Sequence, residues 1–353
     1  MQDSRTELSE VGEFKLIELL THSFPIENTS TIKGVGDDAA VLEYGNKQTL
    51  ISTDLLIEGI HFDMTYTPLK HLGYKAMAVN ISDICAMNGI AKQALVSLAV
   101  SNRFSVEALQ ELYAGMHMAC RRFGVDLVGG DTTSSPSGLF LSVTIVGEAD
   151  KNNICYRNGA KANDLICVSG NLGAAYAGLL VLQREKVTFQ ANEKYQPDLT
   201  TYEYILERQL KPEPRVDIVK KLSQKSVRPS SMIDISDGLA SEILHLCKQS
   251  NTGCELYLNK IPIDYETSRT IEEFKILPET AALNGGEDYE LLFTISQKDY
   301  DKIKDEKDIH VIGFMTDAST GRKLVTPQNT VMDIQASGWD HCRNTTGNNK
   351  SED

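Results

Sequence analysis

The sequence predicts an α/β protein of two domains. Three observations carry that reading. Helical and strand periodicities alternate along almost the whole chain. The alternation pauses near residue 150 and begins again. At 353 residues the chain is long enough for two cores. The expected divisions are a loose tail at 1–10, an N-terminal domain at 11–150, a C-terminal domain at 151–342 and a second loose tail at 343–353. Both tails are polar and lack apolar anchors.

In the first half, "VGEFKLIELLTH" (11–22) reads as an amphipathic helix and "KQTLISTD" (47–54) as a strand ending in polar residues. "PLKHLGYKAMAVNISDICAM" (68–87) reads as a long helix with proline at its start. "AKQALVSLAV" (91–100) is a strand, and "SVEALQELYAGMHMACRRF" (105–123) is a helix that Ser105 can cap. "VDLVGGD" (125–131) and "LFLSVTIVGEA" (139–149) close this half as strands. The second half opens with the strand "DLICVSG" (164–170) and the helix "NLGAAYAGLLVLQRE" (171–185). A polar stretch, 185–201, separates these from "KPEPRVDIVKKL" (211–222), where two prolines precede a helix. "SMIDISDGLASEILHLCKQS" (231–250) runs strand, turn, helix, and "GGEDYELLFTI" (285–295) turns into a strand. "SQKDYDKIKDE" (296–306) is a helix and "IHVIGFM" (309–315) a strand.

Composition narrows the function classes. Hydrophobic residues make up 41% and charged residues 24%, as in ordinary globular proteins. No apolar run reaches the roughly 18 residues of a membrane span. The start, "MQDSRTELSE", is neither a secretory signal nor a basic transit peptide, so the expected location is the cytoplasm. A net charge of −14 argues against a nucleic-acid partner, since phosphate backbones attract basic surfaces. Seven irregularly spaced cysteines without a CxxC pair argue against a disulfide framework or a zinc site.

The informative pattern is the placement of acids. Asp54 ends "ISTD", Asp131 ends "LVGGD", Asp234 and Asp237 close "IDISD", and Asp38 precedes a strand in "GVGDDAAVL". Carboxylates at strand ends can meet on one rim of a sheet, where open α/β folds bind ligands. Asp83 stands inside an otherwise apolar helix, where an ionised acid is costly unless paired or bound to a metal. It either bonds Asn80 or a backbone amide, or ligates an ion. With the Ser52, Thr53 and Ser236 hydroxyls the donors are all oxygen, which suits several Mg²⁺ ions rather than zinc or iron. Glycines accompany every acidic element, including Gly129–Gly130 and Gly285–Gly286, yet there is no GxxxxGK[ST] loop and no strand–GxGxxG–helix unit. His61 in "EGIHF" is either a core histidine or a site residue. Asp37, next to Asp38, reads as a turn or supporting group.

The motifs "GVGDDAAVL", "ISTDLLIEGIHF", "AVNISDICAMN", "VGGDTT", "DISDGL" and "GGEDYELLF", with "GEF" at 12–14, occur in this order over Gly12–Trp339. So arranged, they resemble thiamine-monophosphate kinase, of the ATP-binding superfamily of aminoimidazole ribonucleotide synthetase and selenophosphate synthetase. The resemblance implies a two-domain fold whose N-terminal halves pair into a homodimer with a shared β-barrel. It implies ATP as co-substrate, thiamine monophosphate as acceptor and Mg²⁺ as cofactor. By position, Asp38, Ser52, Thr53, Asp54, Asp83, Asp131, Asp234 and Asp237 would ligate Mg²⁺, with Asp54, Asp83, Asp131 and Asp234 central to catalysis. Asp38, Thr53, Gly130, Asp131, Arg157 and Ser236 would bind ATP. His61, Glu287 and Trp339 would hold the acceptor, Trp339 either stacking on a cationic ring or packing the last strand. The pattern is departed from at Ala174, where an acid is usual, at Asn158, where serine is usual, and after "GGDTT", which lacks the usual basic residue.

The rivals fit less well. No cysteine precedes Cys85, against a selenophosphate synthetase, and no cysteine tail ends the chain, against the hydrogenase-maturation relative. "DISD" lacks the spacing of a DxDx[TV] phosphohydrolase. A nucleotide sensor without turnover stays open at this level.

Overall fold

A computed structural model describes residues 31–33, 36–43, 45–192 and 196–336. The predicted helix at 11–22, both tails and Trp339 lie outside the described residues. The first half contributes strands β1 (Thr31–Lys33), β2 (Ala40–Glu43) and β3 (Lys47–Ile57), helix α1 (Leu69–Ala86) and strand β4 (Ile90–Val100). Helix α2 (Val106–Phe123) and strands β5 (Asp126–Ser134) and β6 (Leu139–Asp150) complete it. The strands form an open six-stranded sheet in the order β1-β2-β3-β6-β4-β5, antiparallel except for β4 and β5.

Beyond Asp150 come β7 (Leu165–Ser169), α3 (Ala174–Ala191), α4 (Glu203–Leu210), α5 (Val216–Gln224) and β8 (Ser231–Asp234). They are followed by α6 (Leu239–Ser250), β9 (Thr252–Tyr257), α7 (Tyr265–Glu273), α8 (Pro278–Asn284) and β10 (Leu291–Ile295). The short α9 (Tyr300–Ile303), β11 (Ile309–Asp317), β12 (Arg322–Val325) and β13 (Val331–Asp333) close the described chain. Their seven-stranded sheet has the order β13-β12-β9-β11-β7-β10-β8.

Helix α1 explains how an acid reaches the interior. Fourteen of its residues are buried, so it has no solvent face and lies between the first sheet, α2 and the second half. Such all-round apolar helices belong to cores. Gly73 and Gly115 let α1 and α2 touch: a Cβ on Gly73 would stand 1.9 Å from the Leu112 carbonyl oxygen. One apolar core runs from Val41, Leu50 and Ile84 through to Met232 and Phe293, so the two sheets share it. The Ser105 cap forms, its hydroxyl accepting from the Ala108 amide at 3.3 Å. β6 alternates buried and half-buried along its length, one face on the core and one towards the outside.

The helix expected at 296–306 is confined to Tyr300–Ile303, the one expected at 171–185 spans Ala174–Ala191, and two acids are also placed differently from the sequence expectation. Asp54 and Asp131 lie inside β3 and β5 rather than at their ends, because both strands continue three residues beyond them. The period of two then puts Ser52 and Asp54 on one face of β3 and Thr53 on the other.

Candidate active site

Three segments far apart in sequence bring acids together. Asp38 comes from the turn before β2, Asp83 from the last turn of α1 and Asp234 from the end of β8. One carboxylate oxygen of each lies within 4.8 Å of the other two. Ser52 of β3 donates its hydroxyl to Asp83, and Ser82 of α1 donates to Asp234 at 2.6 Å. Asn80 donates to the Ala76 carbonyl instead, so the Asn80–Asp83 bond that sequence left open does not form.

The electrostatics of the cluster favour a cation as ligand. Burial and the charges of Asp54, Asp234 and Asp38 push the Asp83 carboxyl well above the usual range. Burial and the Asp38 charge do the same to Asp234. Asp54 is pushed up to about 6 by burial. A compensating cation does reach Asp38: Arg157 donates from Nε at 2.9 Å and from its Nη2 as well. That fork–fork pair leaves further guanidinium N–H groups for another anion. Asp37 is engaged differently, accepting from the Arg157 amide at 2.9 Å and pairing with Lys33 at 3.1 Å.

The turn after β8 is stitched to the "GGEDYEL" segment. The Ile235 amide donates to the Glu290 carbonyl (2.8 Å), Tyr289 to Ile235 (2.9 Å) and Glu287 to Ser236 (2.6 Å). Gly286 has φ +70, and a Cβ there would stand 2.5 Å from the Ser236 carbonyl oxygen, so glycine is required for the two strands of the turn to meet. Ser236 and Asp237 therefore sit directly beyond Asp234. Glu287 lies in the irregular segment that precedes β10, with its carboxylate taken by Lys75 (2.9 Å) and Gln209 (2.7 Å). His61 follows β3 in a turn, its Nδ1 accepting from the Ile57 amide at 3.0 Å.

Three predicted site residues stand apart from this cluster. Thr53 faces away from it, its hydroxyl on Thr144 and the Val143 carbonyl. Gly130 and Asp131 lie on the edge strand β5. The register Thr53–Thr144–Leu95–Gly129 sets three strand intervals between Thr53 and that strand, about 14 Å. Asp131 is exposed and its carboxylate accepts only from the Thr132 amide among the bonds recorded for it.

Sequence reasoning missed three side chains here. Glu242, buried on α6, accepts from the Asp237 amide at 2.9 Å and the Ser236 hydroxyl at 3.5 Å, holding that turn. An acid five residues after Asp237 was the available signal. Tyr289 is pushed far above its usual range by burial and by the charges of Glu287, Asp54, Asp234 and Asp83. Lys75, a lone lysine in an apolar helix, was visible in the sequence and passed over.

Comparison with known proteins identifies the family and the fold. Residues 36–149 match the family described as "AIR synthase related protein, N-terminal domain". The chain is 34% identical over 337 residues to a thiamine-monophosphate kinase of Bacillus subtilis, covering 94% of this chain and 99% of that one. Its fold matches the solved structure "AaThiL complexed with AMPPCP and TMP" with a TM-score of 0.81 at 32% identity, over 96% of this chain and 100% of that one. A thiamine monophosphate kinase from Aquifex aeolicus matches with a TM-score of 0.74 at 30% identity, over 93% and 100%. The chain belongs to the thiamine-monophosphate kinase family.

Proposed function

We infer that the protein transfers the γ-phosphoryl group of ATP to the phosphate of thiamine monophosphate, giving thiamine diphosphate and ADP. The observation that carries the reading is the convergence of Asp38, Asp83 and Asp234 from three separate segments, in a chain of this family. The related structure with AMPPCP and TMP supports both substrates.

The donor set fits Mg²⁺: oxygens only and crowded, with the Asp83 and Asp234 carboxyls raised by burial and by neighbouring carboxylates. Asp38, Asp54, Asp83 and Asp234 would hold it, with Ser52 and Asp237 at the margin. Bound there, Mg²⁺ would neutralise the repulsion between a triphosphate and an incoming phosphate, about 4 kcal/mol per unit pair at 4 Å and an effective dielectric of 20. The acceptor phosphate has its second pKa near ~6, so at neutral pH it is a dianion and requires no general base. One of its oxygens attacks the γ-phosphorus, and the bond to the β-bridging oxygen breaks, leaving its electron pair on ADP. The residues around the cluster position rather than react: Ser52 and Ser82 orient Asp83 and Asp234, Glu242 fixes the Ser236–Asp237 turn, and Arg157 presents its free N–H groups to the nucleotide. His61, Glu287 and Trp339 are the acceptor side.

We further propose that the site is completed in a homodimer. Every residue of β5, Leu127 and Val128 among them, is exposed at a sheet edge, and Leu95 of β4 and Leu55 of β3 also expose apolar surface. A second copy covering that face would bring its Gly130 and Asp131 to the Thr53 side of this chain's sheet, which the chain's own β5 cannot reach. Among the described residues no helix is long and apolar enough to cross a membrane. The six described cysteines are all buried and free, as a reducing cytoplasm allows.

The test is direct. Purified protein given ATP and thiamine monophosphate should form thiamine diphosphate and ADP in equal amounts with Mg²⁺, and none after chelation. Absence of product with Mg²⁺ present sinks the reading.

A further inference from the structure

Lysine is the side chain least expected inside an apolar helix, yet Lys75 of α1 is only 5% exposed. Its ammonium lies 2.9 Å from Glu287 Oε1 and donates to the Gln209 carbonyl at 3.0 Å. Gln209 in turn donates from Nε2 to Glu287 Oε2 at 2.7 Å. Both carboxylate oxygens of Glu287 are thus held from behind, while its side chain keeps 32% of its surface exposed. Burial would raise the Glu287 carboxyl, but Lys75 and Gln209 keep it below the usual range. The backbone at Glu287 is itself in the left-handed region, at φ +58, so its direction is fixed by its surroundings and not by local preference.

Lys75 also lies on the α1 face that carries Ser82. Seven residues are two turns, about 10.5 Å along the axis. One end of that span touches the acid cluster through the Ser82–Asp234 bond, and the other ends at Glu287. An acceptor with a phosphate at one end and a nitrogen heterocycle at the other has that form.

We propose that Lys75 is the positioning residue of the acceptor subsite, fixing the Glu287 carboxylate and cancelling its charge. The proposal rests on the reading that Glu287 contacts the acceptor. With its charge cancelled, Glu287 is no counter-ion for a cationic ring. Each of its oxygens keeps a lone pair and accepts an N–H donor, so it selects the amino-substituted ring of the acceptor by hydrogen bonding.

The experiment compares the intact protein with Lys75→Met, Glu287→Gln and the double variant. It reads calorimetric binding of thiamine monophosphate without ATP, and the KM of each substrate. Lys75→Met should weaken acceptor binding and raise its KM at least twentyfold, with the KM for ATP moving less than twofold. The double variant should bind no more weakly than Glu287→Gln alone, since Lys75 acts through that carboxylate. Equal loss of ATP and acceptor affinity, or additive losses in the double variant, overturns the positioning role. If Lys75→Met does not fold, the double variant, which buries no lone charge, is compared with Glu287→Gln. Further loss of acceptor affinity there again overturns the role. An unchanged acceptor KM in Glu287→Gln overturns the contact on which the proposal rests. A raised KM there beside an unaffected Lys75→Met overturns only the proposal.

Discussion

Two acid-rich regions of this molecule look alike in sequence and behave in opposite ways. Around Asp38, Asp54, Asp83 and Asp234, carboxylates crowd together with Arg157 as the cation recorded among them. In "GGEDYEL", each acid has its own partners. Glu287 meets Lys75 and Gln209. Asp288 accepts the Gly173 amide at 2.7 Å and the Ala175 amide at 3.3 Å, capping α3. Glu290 is clamped by Arg208 at 2.9 Å, by Arg215 and by the Ser169 hydroxyl. The first region lacks charge compensation that a bound cation can supply. The second already has it and serves as scaffold. What separates a site from a scaffold is the balance of partners, not the density of acids.

The comparison is tested most severely at Asp54. Asp54→Asn should lower turnover by at least 10³-fold, about 4 kcal/mol of barrier, measured by thiamine diphosphate formation at saturating ATP and acceptor. The same variant should stabilise the metal-free fold. A carboxyl raised from 3.8 to about 6 binds more protons folded than unfolded between those values. The stability it contributes is present below pH 4 and is lost as pH rises through 6. At pH 7 without Mg²⁺, Asp54→Asn should therefore exceed the intact protein by up to about 3 kcal/mol, with no difference at pH 4, by urea unfolding. Added Mg²⁺ should reverse the order. A variant less stable at pH 7 without the metal would place Asp54 in the scaffold class.

The scaffold region should respond the other way. Arg208→Met leaves buried Asp288 with the α3 amides and Glu290 with Arg215 and the Ser169 hydroxyl. Removing one partner of a buried pair costs about 3–5 kcal/mol. Because Arg215 and the α3 amides stay, the lower end is expected. Urea unfolding should show that loss, while turnover of the folded fraction falls less than tenfold. A thousandfold fall in turnover at unchanged stability would erase the distinction between the two regions.

How far the sequence foretold this depends on the range of each contact. The Ser105 cap, the strand β6 and the apolar run of α1 are local patterns, and they form as read. Asp38, Asp83 and Asp234 were legible because each breaks a local pattern, an acid where the neighbours are apolar or glycine. The strands β9, β12 and β13 and helices α4, α7 and α8 were not, being short and set in mixed polar sequence. The partners that make "GGEDYEL" a scaffold were also hidden. Arg208 and Arg215 lie 82 and 75 residues before Glu290, and no periodicity links them. The placing of Thr53 opposite Ser52 follows from the strand period, and reading "ISTD" as one ligand set overlooked it.

Asp37 gives the smallest and sharpest contrast, because it adjoins Asp38 and is built like the scaffold acids. Burial raises its carboxyl, while the Arg157 amide and Lys33 draw it back. Asparagine keeps the acceptor for that amide and loses only the pair with Lys33, whose side chain is 27% exposed. Although the Asp37 side chain is buried, the cation left behind reaches water, so the loss stays near the range of exposed pairs, about 1 kcal/mol or less. Asp37→Asn should therefore shift stability by no more than that and turnover by less than fivefold, with an unchanged Mg²⁺ requirement. Asp38→Asn, one residue on, should abolish turnover. If Asp37→Asn instead raises the Mg²⁺ concentration needed for half-maximal rate tenfold, both acids of the pair belong to the crowded site. The charge of Lys33 would then be part of what holds the nucleotide.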